Sequence, residues 1–261
     1  DHKNEMDFHL ALVRPQIGVL TGVTPVHSDP ELLGSLAGVI EEKGKLIQAL
    51  PKDGWAILNH DDENVRKMAS KTKAQILWYG TEVGKGCDFW ADQIKVDYTG
   101  TSFVIHSSHL IPQTLKVKIL LVGKHFAHAA LVAAAVGWIQ GLTPKEIVSG
   151  LSKLEPLAGR MSIEKGPLET ILLNDALRAN PASTMAGLET LSALPARGRR
   201  VAVLGEMGEL GDFAEQGHCL VGKKVADLKI DFLVSIGPLQ RFTAEEAIKN
   251  GMKKENVFWV K

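Results

Sequence analysis

The sequence predicts an α/β fold in two consecutive parts. The first, residues 1–155, is a parallel sheet with a small antiparallel patch; the second, residues 156–261, is another α/β run. Three observations carry this. Short apolar runs alternate with segments of helical spacing from about residue 17 to residue 80, which is the rhythm of strand–helix–strand units. Around Thr99-Gly100 the apolar residues switch to a period of two, as in an antiparallel hairpin. After Pro156 the strand–helix rhythm restarts.

The elements follow in order. DHKNEMDFHL is a polar, helix-like run that does not resemble a natural beginning, and IGVLTGV is a short buried strand. In GSLAGVIEEKGKLIQAL, Leu36, Val39, Ile40, Leu46, Ile47 and Leu50 fall on one helical face. Asp53-Gly54 turns the chain into the strand WAILN. DDENVRKMAS then places acids in the first turn of a helix, where the dipole favours them. AQILWYG is the third strand, and ADQIKVDYTGTSFVIHSS with TLKVKILLVG forms the antiparallel patch. HFAHAALVAAAVGWIQGL is a helix ending at Gly141. Thr143, Pro144 and Glu146 then compose a capping box. Beyond residue 155, LETILLND, RRVAVLG, DFLVSIG and ENVFWV read as strands. The helices PASTMAGLETLSAL, AEQGHCLVGKKVADL and RFTAEEAIKNG lie between them.

Composition narrows the function. Thirty basic residues balance thirty acidic ones among 261, so no global field draws the chain to nucleic acid or an anionic membrane. An anionic ligand needs a local site. Hydrophobic residues make up 45%, enough for sizeable cores. The longest apolar stretch, ALVAAAVGWI, is about half of what spans a bilayer. Cys87 and Cys219 lie far apart and form no metal-type pair; two buried thiols in a reducing cytoplasm are expected.

Individual motifs are ambiguous. GTEVGKGC carries glycines and Lys85, but lacks Walker spacing and a Ser or Thr after the lysine, so it reads as an ordinary loop. GEMGELG fails as a dinucleotide fingerprint, because its glycines are three apart and Glu206, Glu209, Asp212 and Glu215 repel a pyrophosphate. It is either a loop whose acids serve a helix N-terminus or one that meets a cation such as an amine. His27 in TPVHSD follows a buried strand, where open α/β sheets place ligands; Lys43 lies on the next helix. Asn59, Asp61 and Asp62 end the second strand, and Asp61 or Asp62 can cap the helix that follows. Arg160 can pair with a phosphate or with an acid. Asp175 at a strand end and Asn180-Pro181 at a helix start can be punctuation alone.

Taken in order, IGVLTGVTPVHSD, GSLAGVIEEKGKL, WAILNHDDENV, GKHFAHAALVAAAVG, GLSKLEPLAGRM, NDALRANPAS and RRVAVLGEMGELGDFAEQGH resemble the Mur ligases of peptidoglycan synthesis. The acidic loop with His218 is similar to the hallmark of the branch that adds D-alanyl-D-alanine, rather than of other branches or of folylpolyglutamate synthases.

The resemblance implies that residues 1–155 are the later part of a central ATPase domain. Residues 156–261 would be a Rossmann-like C-terminal domain, cut short at its end, with the P-loop and a UDP-sugar domain upstream. It implies a cytoplasmic, monomeric ligase that uses ATP and magnesium (Mg2+). This ligase would join D-alanyl-D-alanine to a UDP-N-acetylmuramoyl tripeptide through an acyl phosphate. By position, His27 matches a magnesium-ligand histidine, and Lys43 a lysine that becomes carbamylated and helps hold a second magnesium. Asn59 and Asp61 match a motif near the nucleotide, Arg160 an arginine that reaches ATP, and Asp175, Asn180 and Pro181 a D-D-S-Y-N-A-N-P motif. His27, Lys43 and Arg160 are thus expected to border one gap between two lobes, and the piece alone to be inactive.

The chain departs from the family's pattern at Phe126 and Ala129, which stand where asparagines are usual. It also departs at Asn174, Leu177 and Arg178, and at Thr21-Gly22. These changes motivate a second expectation, a Mur-like module that binds without catalysing.

Overall fold

The computed structural model describes residues 2–81 and 86–261. Lys85 and its neighbours in GTEVGKGC, read above as an ordinary loop, lie outside the described residues. The chain divides into two compact units: residues 1–95 with 100–155, and residues 156–261 with 96–99.

The first unit contains α1 (Glu5–Leu12), β1 (Ile17–Leu20), α2 (Leu36–Gln48), β2 (Trp55–Asn59), α3 (Glu63–Met68), β3 (Gln75–Gly80), β4 (Phe89–Asp97), β5 (Gly100–Ser107), β6 (Thr114–Ile119), α4 (Phe126–Ile139) and α5 (Pro144–Leu151). The six strands form one sheet in chain order. β1, β2, β3 and the start of β4 run parallel, and β5 and β6 pair antiparallel. The antiparallel patch therefore continues the parallel sheet.

Parallel strands are buried on both faces, which is why they read as unbroken apolar runs. Ala56 and Leu58 pack with Val39 and Ile47 of α2 and Val65 and Met68 of α3. Ile57, Leu77 and Tyr79 pack beneath Leu131, Ala134 and Ala135 of α4 and Ile147 and Leu151 of α5. The alanines of α4 bring its axis close to the sheet, and the capping box at Thr143 and Glu146 starts α5 as expected. Gly100 opens β5 at φ 135°, where a Cβ would overlap the Ile119 carbonyl, so the hairpin turn requires glycine there.

The second unit contains β7 (Ser162–Lys165), β8 (Ile171–Asn174), α6 (Pro181–Ala193), β9 (Val201–Leu204), α7 (Ala214–Asp227), β10 (Phe232–Ile236), α8 (Gln240–Lys249) and β11 (Val257–Val260). Three strands form a parallel sheet in the order β11-β10-β9. β8 does not join it. It pairs antiparallel with β7, a strand that sequence spacing had hidden in RMSIEKG. β9 also differs from the buried strand expected of VAVLG: Ala202 is buried, whereas Val203 is 63% exposed. The two thiols, Cys87 and Cys219, are both partly exposed rather than buried. Among the described residues, no helix is long and apolar enough to cross a membrane.

Candidate functional site

The carboxyl ends of β1, β2 and β3 open onto loops, and there a set of polar side chains ties the first unit's edge together. Asn59 ends β2, only 9% exposed. Its Nδ2 donates to the Thr21 carbonyl at 2.8 Å, and its Oδ1 accepts the Asp61 amide at 2.9 Å. One side chain thus fixes the exits of two neighbouring strands.

The two carboxylates that follow face apart, because the chain turns between them. Asp62 is the N-cap of α3: its Oδ1 accepts the Val65 amide at 2.9 Å. Its Oδ2 accepts the Val23 amide at 2.9 Å, which holds the loop after β1. Asp61 turns to the other side. Its Oδ2 accepts the Thr81 amide at 2.7 Å, the Thr81 hydroxyl at 3.0 Å and His128 Nε2 at 2.7 Å. Of the two acids that could cap α3, Asp62 does so.

Burial raises the Asp61 pKa, but the hydrogen bonds from His128 and Thr81 outweigh it and bring the group down to about 2, from 3.8. The folded value lies below the unfolded one. The carboxylate therefore adds stability above about pH 4, and loses it as the pH falls toward 2. At 1.36 kcal/mol per unit, discounted because the side chain is not fully buried, the contribution is about 1 kcal/mol. Denaturant titrations of wild type and Asp61→Asn are expected to converge between pH 4 and pH 2. A constant gap across that range would refute the assignment.

Lys43 lies half-buried on α2. Burial lowers its pKa, and the Asp62 carboxylate partly counteracts that. Lys43, Asp62 and the loop after β1 are therefore neighbours. His27 sits further along the same loop, half-buried, at φ 68°, a conformation uncommon for a non-glycine residue. Its carbonyl accepts the Leu33 amide at 3.1 Å, which closes the loop behind it. Burial, then Asp61 and Asp62, push the Tyr79 phenol up; its hydroxyl donates to the Leu20 carbonyl at 3.4 Å.

As they stand, these residues do not fit a magnesium ion. Magnesium takes hard oxygen donors. His27 and the unmodified Lys43 offer an imidazole and an ammonium, and among the described residues no group of three or more His, Cys, Asp or Glu could hold a metal.

In the second unit, Arg160 follows Gly159 and precedes Met161, whose amide donates to Asp175 Oδ1 at 3.2 Å. Burial raises the Asp175 pKa, against that hydrogen bond and the Arg160 charge nearby. Asn180 caps α6: its Oδ1 accepts the Ser183 amide at 2.9 Å, its amide donates to Ser183 Oγ at 3.1 Å, and Pro181 follows at the first helical position. Asn180 thus acts as helix punctuation at the start of α6.

The acidic loop is ordered by a buried histidine. His218 Nδ1 pairs with the Ala214 carbonyl at 2.7 Å and its Nε2 accepts the Met207 amide at 3.3 Å. That arrangement places the proton on Nδ1. Glu206 accepts the Leu239 amide at the start of α8. The first of the four acids therefore serves a helix N-terminus.

Two family models match. The Mur ligase middle domain matches residues 2–137, and the Mur ligase glutamate ligase domain matches residues 159–261. The chain belongs to the Mur ligase family. It is 32% identical over 237 residues to the UDP-N-acetylmuramoyl-tripeptide–D-alanyl-D-alanine ligase of Escherichia coli K12, covering 91% of this chain and 51% of that protein. The enzyme of the same name from Bacillus subtilis 168 is 32% identical over 248 residues, covering 95% and 52%. This Mur ligase chain thus spans about half the length of these relatives. Among solved structures, MurF from Acinetobacter baumannii superposes with a TM-score of 0.84 at 24% identity, covering 99% of this chain and 53% of that one. MurF from Thermotoga maritima in complex with ADP gives 0.79 at 19% identity, covering 98% and 60%. These likenesses establish the fold.

Sequence reasoning singled out neither Thr81 nor His128. Nothing in the spacing of GKHFAHAA distinguishes His128 from a surface histidine; only the folded edge shows its partner.

Proposed function

We propose that the complete protein carrying this chain is an ATP-dependent amide ligase of peptidoglycan precursor synthesis, acting as a cytoplasmic monomer. It joins D-alanyl-D-alanine to a UDP-N-acetylmuramoyl tripeptide. The γ-phosphoryl group passes to the tripeptide's terminal carboxylate, the dipeptide amine attacks the acyl phosphate, and the tetrahedral intermediate expels phosphate. A carboxylate is a poor electrophile, and phosphorylation supplies the leaving group.

What supports the reading above all is Lys43, a desolvated amine beside Asp62 at the carboxyl edge of a Mur ligase middle domain. Desolvation enlarges the neutral share of the amine, the form that attacks carbon dioxide to give a carbamate and a proton. A carbamylated Lys43 offers oxygens where the free amine offers none. With His27 it could then contribute to a magnesium site that draws its remaining oxygen donors from elsewhere. In this reading Asn59 holds the nucleotide-side loops, and Arg160, with Asp175 beside it, supplies a guanidinium for phosphate.

The test is product formation. Protein expressed from the complete natural reading frame, given ATP, UDP-N-acetylmuramoyl tripeptide and D-alanyl-D-alanine, is expected to yield the pentapeptide product by mass spectrometry. No product, with no dipeptide-dependent phosphate release, would favour the non-catalytic module suggested by Phe126 and Ala129. The 261-residue chain alone contains no Walker loop. It is expected to release no phosphate from ATP above a buffer blank in a molybdate colour assay.

A further inference from the structure

We propose that His128 is a positioning residue of the nucleotide side of this site, acting through Asp61; the proposal rests on the ligase reading given above. The geometry begins with how Asp61 spends its two oxygens. Oδ2 takes three donors, from the Thr81 amide, the Thr81 hydroxyl and His128 Nε2. Oδ1 is buried and has no hydrogen-bond partner among the described residues. It lies against Gly80, where a Cβ would stand 2.5 Å away. Oδ2 is saturated by its three donors, while Oδ1 is held buried against Gly80. The Asp61 carboxylate is a buckle between the end of β2, the end of β3 and the first turns of α4.

His128 closes that buckle from α4. Its ring meets the Tyr79 ring edge-on, with centroids 6.3 Å apart and planes at 71°. The imidazole is therefore packed on one side and hydrogen-bonded on the other. Just before it, the His125 and Phe126 rings sit 4.2 Å apart at the start of the helix. These are side chains that the buckle sets in place at the carboxyl edge of the sheet, where α/β folds hold their ligands. His128 touches Asp61, not substrate; its effect on nucleotide passes through the position of α4 and Thr81.

The test uses His128→Ala, which cannot donate, and His128→Gln, whose amide nitrogen can replace Nε2. In protein from the complete reading frame, His128→Ala is expected to raise KM for ATP about tenfold, the worth of a lost charge-assisted hydrogen bond, with kcat within about twofold. His128→Gln is expected to restore most of that loss. Independently, hydrogen exchange of the Thr81 amide in the 261-residue chain is expected to quicken at least about tenfold in His128→Ala, with the melting temperature of His128→Gln near wild type. Unchanged Thr81 exchange in His128→Ala would overturn the buckle. Equal damage by Ala and Gln, or a loss confined to kcat, would overturn the positioning role. A wild type without ligase activity would sink the ligase reading, and the exchange experiment would still decide the buckle.

Discussion

Lys43→Met is expected to abolish ligation while making the protein more stable at neutral pH. The activity loss follows from the proposed chemistry. A carbamate places negative oxygen next to a reaction that gathers phosphate charge, and removing one preorganised electrostatic group from such a site costs on the order of 10^2–10^3-fold in turnover. The stability gain follows from burial. Burial lowers the Lys43 pKa, and Asp62 does not make up the difference, so at neutral pH in buffer freed of carbon dioxide, where Lys43 is a free amine, the folded protein carries an ammonium it holds less comfortably than water does. A methionine of similar length keeps the aliphatic stem and discards that cost. The sign can be checked against pH. The folded pKa lies below the unfolded one, so the unfolded chain binds more protons up to the ordinary lysine range. Wild type therefore gains on Lys43→Met as the pH rises. Thermal melts at pH 7 and pH 10, with an assay of product, test both halves. In parallel, labelled bicarbonate is expected to give a carbamate carbon resonance that Lys43→Met lacks. A variant that is both less stable at pH 7 and still active would show Lys43 to be a packing residue.

Most of the fold was legible because its signals are local. Parallel strands covered on both sides announce themselves as apolar runs, as in WAILN and AQILWYG, and Thr143, Pro144 and Glu146 announce a helix start by chemistry that needs no partner. What could not be read depends on pairing. β7 has a single apolar residue, Ile163, to show, since Ser162–Lys165 is half of a two-stranded ribbon outside the main sheet. In β9, Val201 and Val203 look like core by composition, yet helices cover only the face that carries Ala202. The site divides the same way. The place of Asn59 at the end of β2 was legible from WAILN, whereas Lys43 was singled out only by the family resemblance. The separate duties of Asp61 and Asp62 were not, because the chain's turn between two adjacent acids decides which one caps α3 and which one meets His128.

His218→Ala is expected to cost about 3 kcal/mol in the second unit, more than truncating Glu206, Glu209 or Asp212 in the loop it orders. His218 is 0% exposed, so its removal leaves a cavity rather than a surface gap. Three contacts depend on where it sits. Its Nε2 accepts the Met207 amide, its Nδ1 pairs with the Ala214 carbonyl, and its own carbonyl accepts the Thr243 hydroxyl at 3.1 Å from α8. Only the first is lost outright to a side-chain deletion without replacement. The Ala214 carbonyl keeps its place in the helix, whereas the Met207 amide is left buried and unsatisfied. Met207 is itself in the core, 1% exposed, so the loop cannot simply swing out to find water without exposing it. Glu206 is tied to the start of α8 from the same loop, and releasing Met207 loosens that cap as well. His218→Phe separates the causes: it fills the cavity but offers no acceptor, so it is expected to recover the packing share and leave about 1–2 kcal/mol unrecovered. Denaturant unfolding followed by tryptophan fluorescence, in a background where Trp55, Trp78, Trp90 and Trp138 of the first unit are replaced by phenylalanine, reads the second unit through Trp259 of β11. Full recovery in His218→Phe would mean that the ring's volume, rather than its nitrogen, holds the acidic loop in shape.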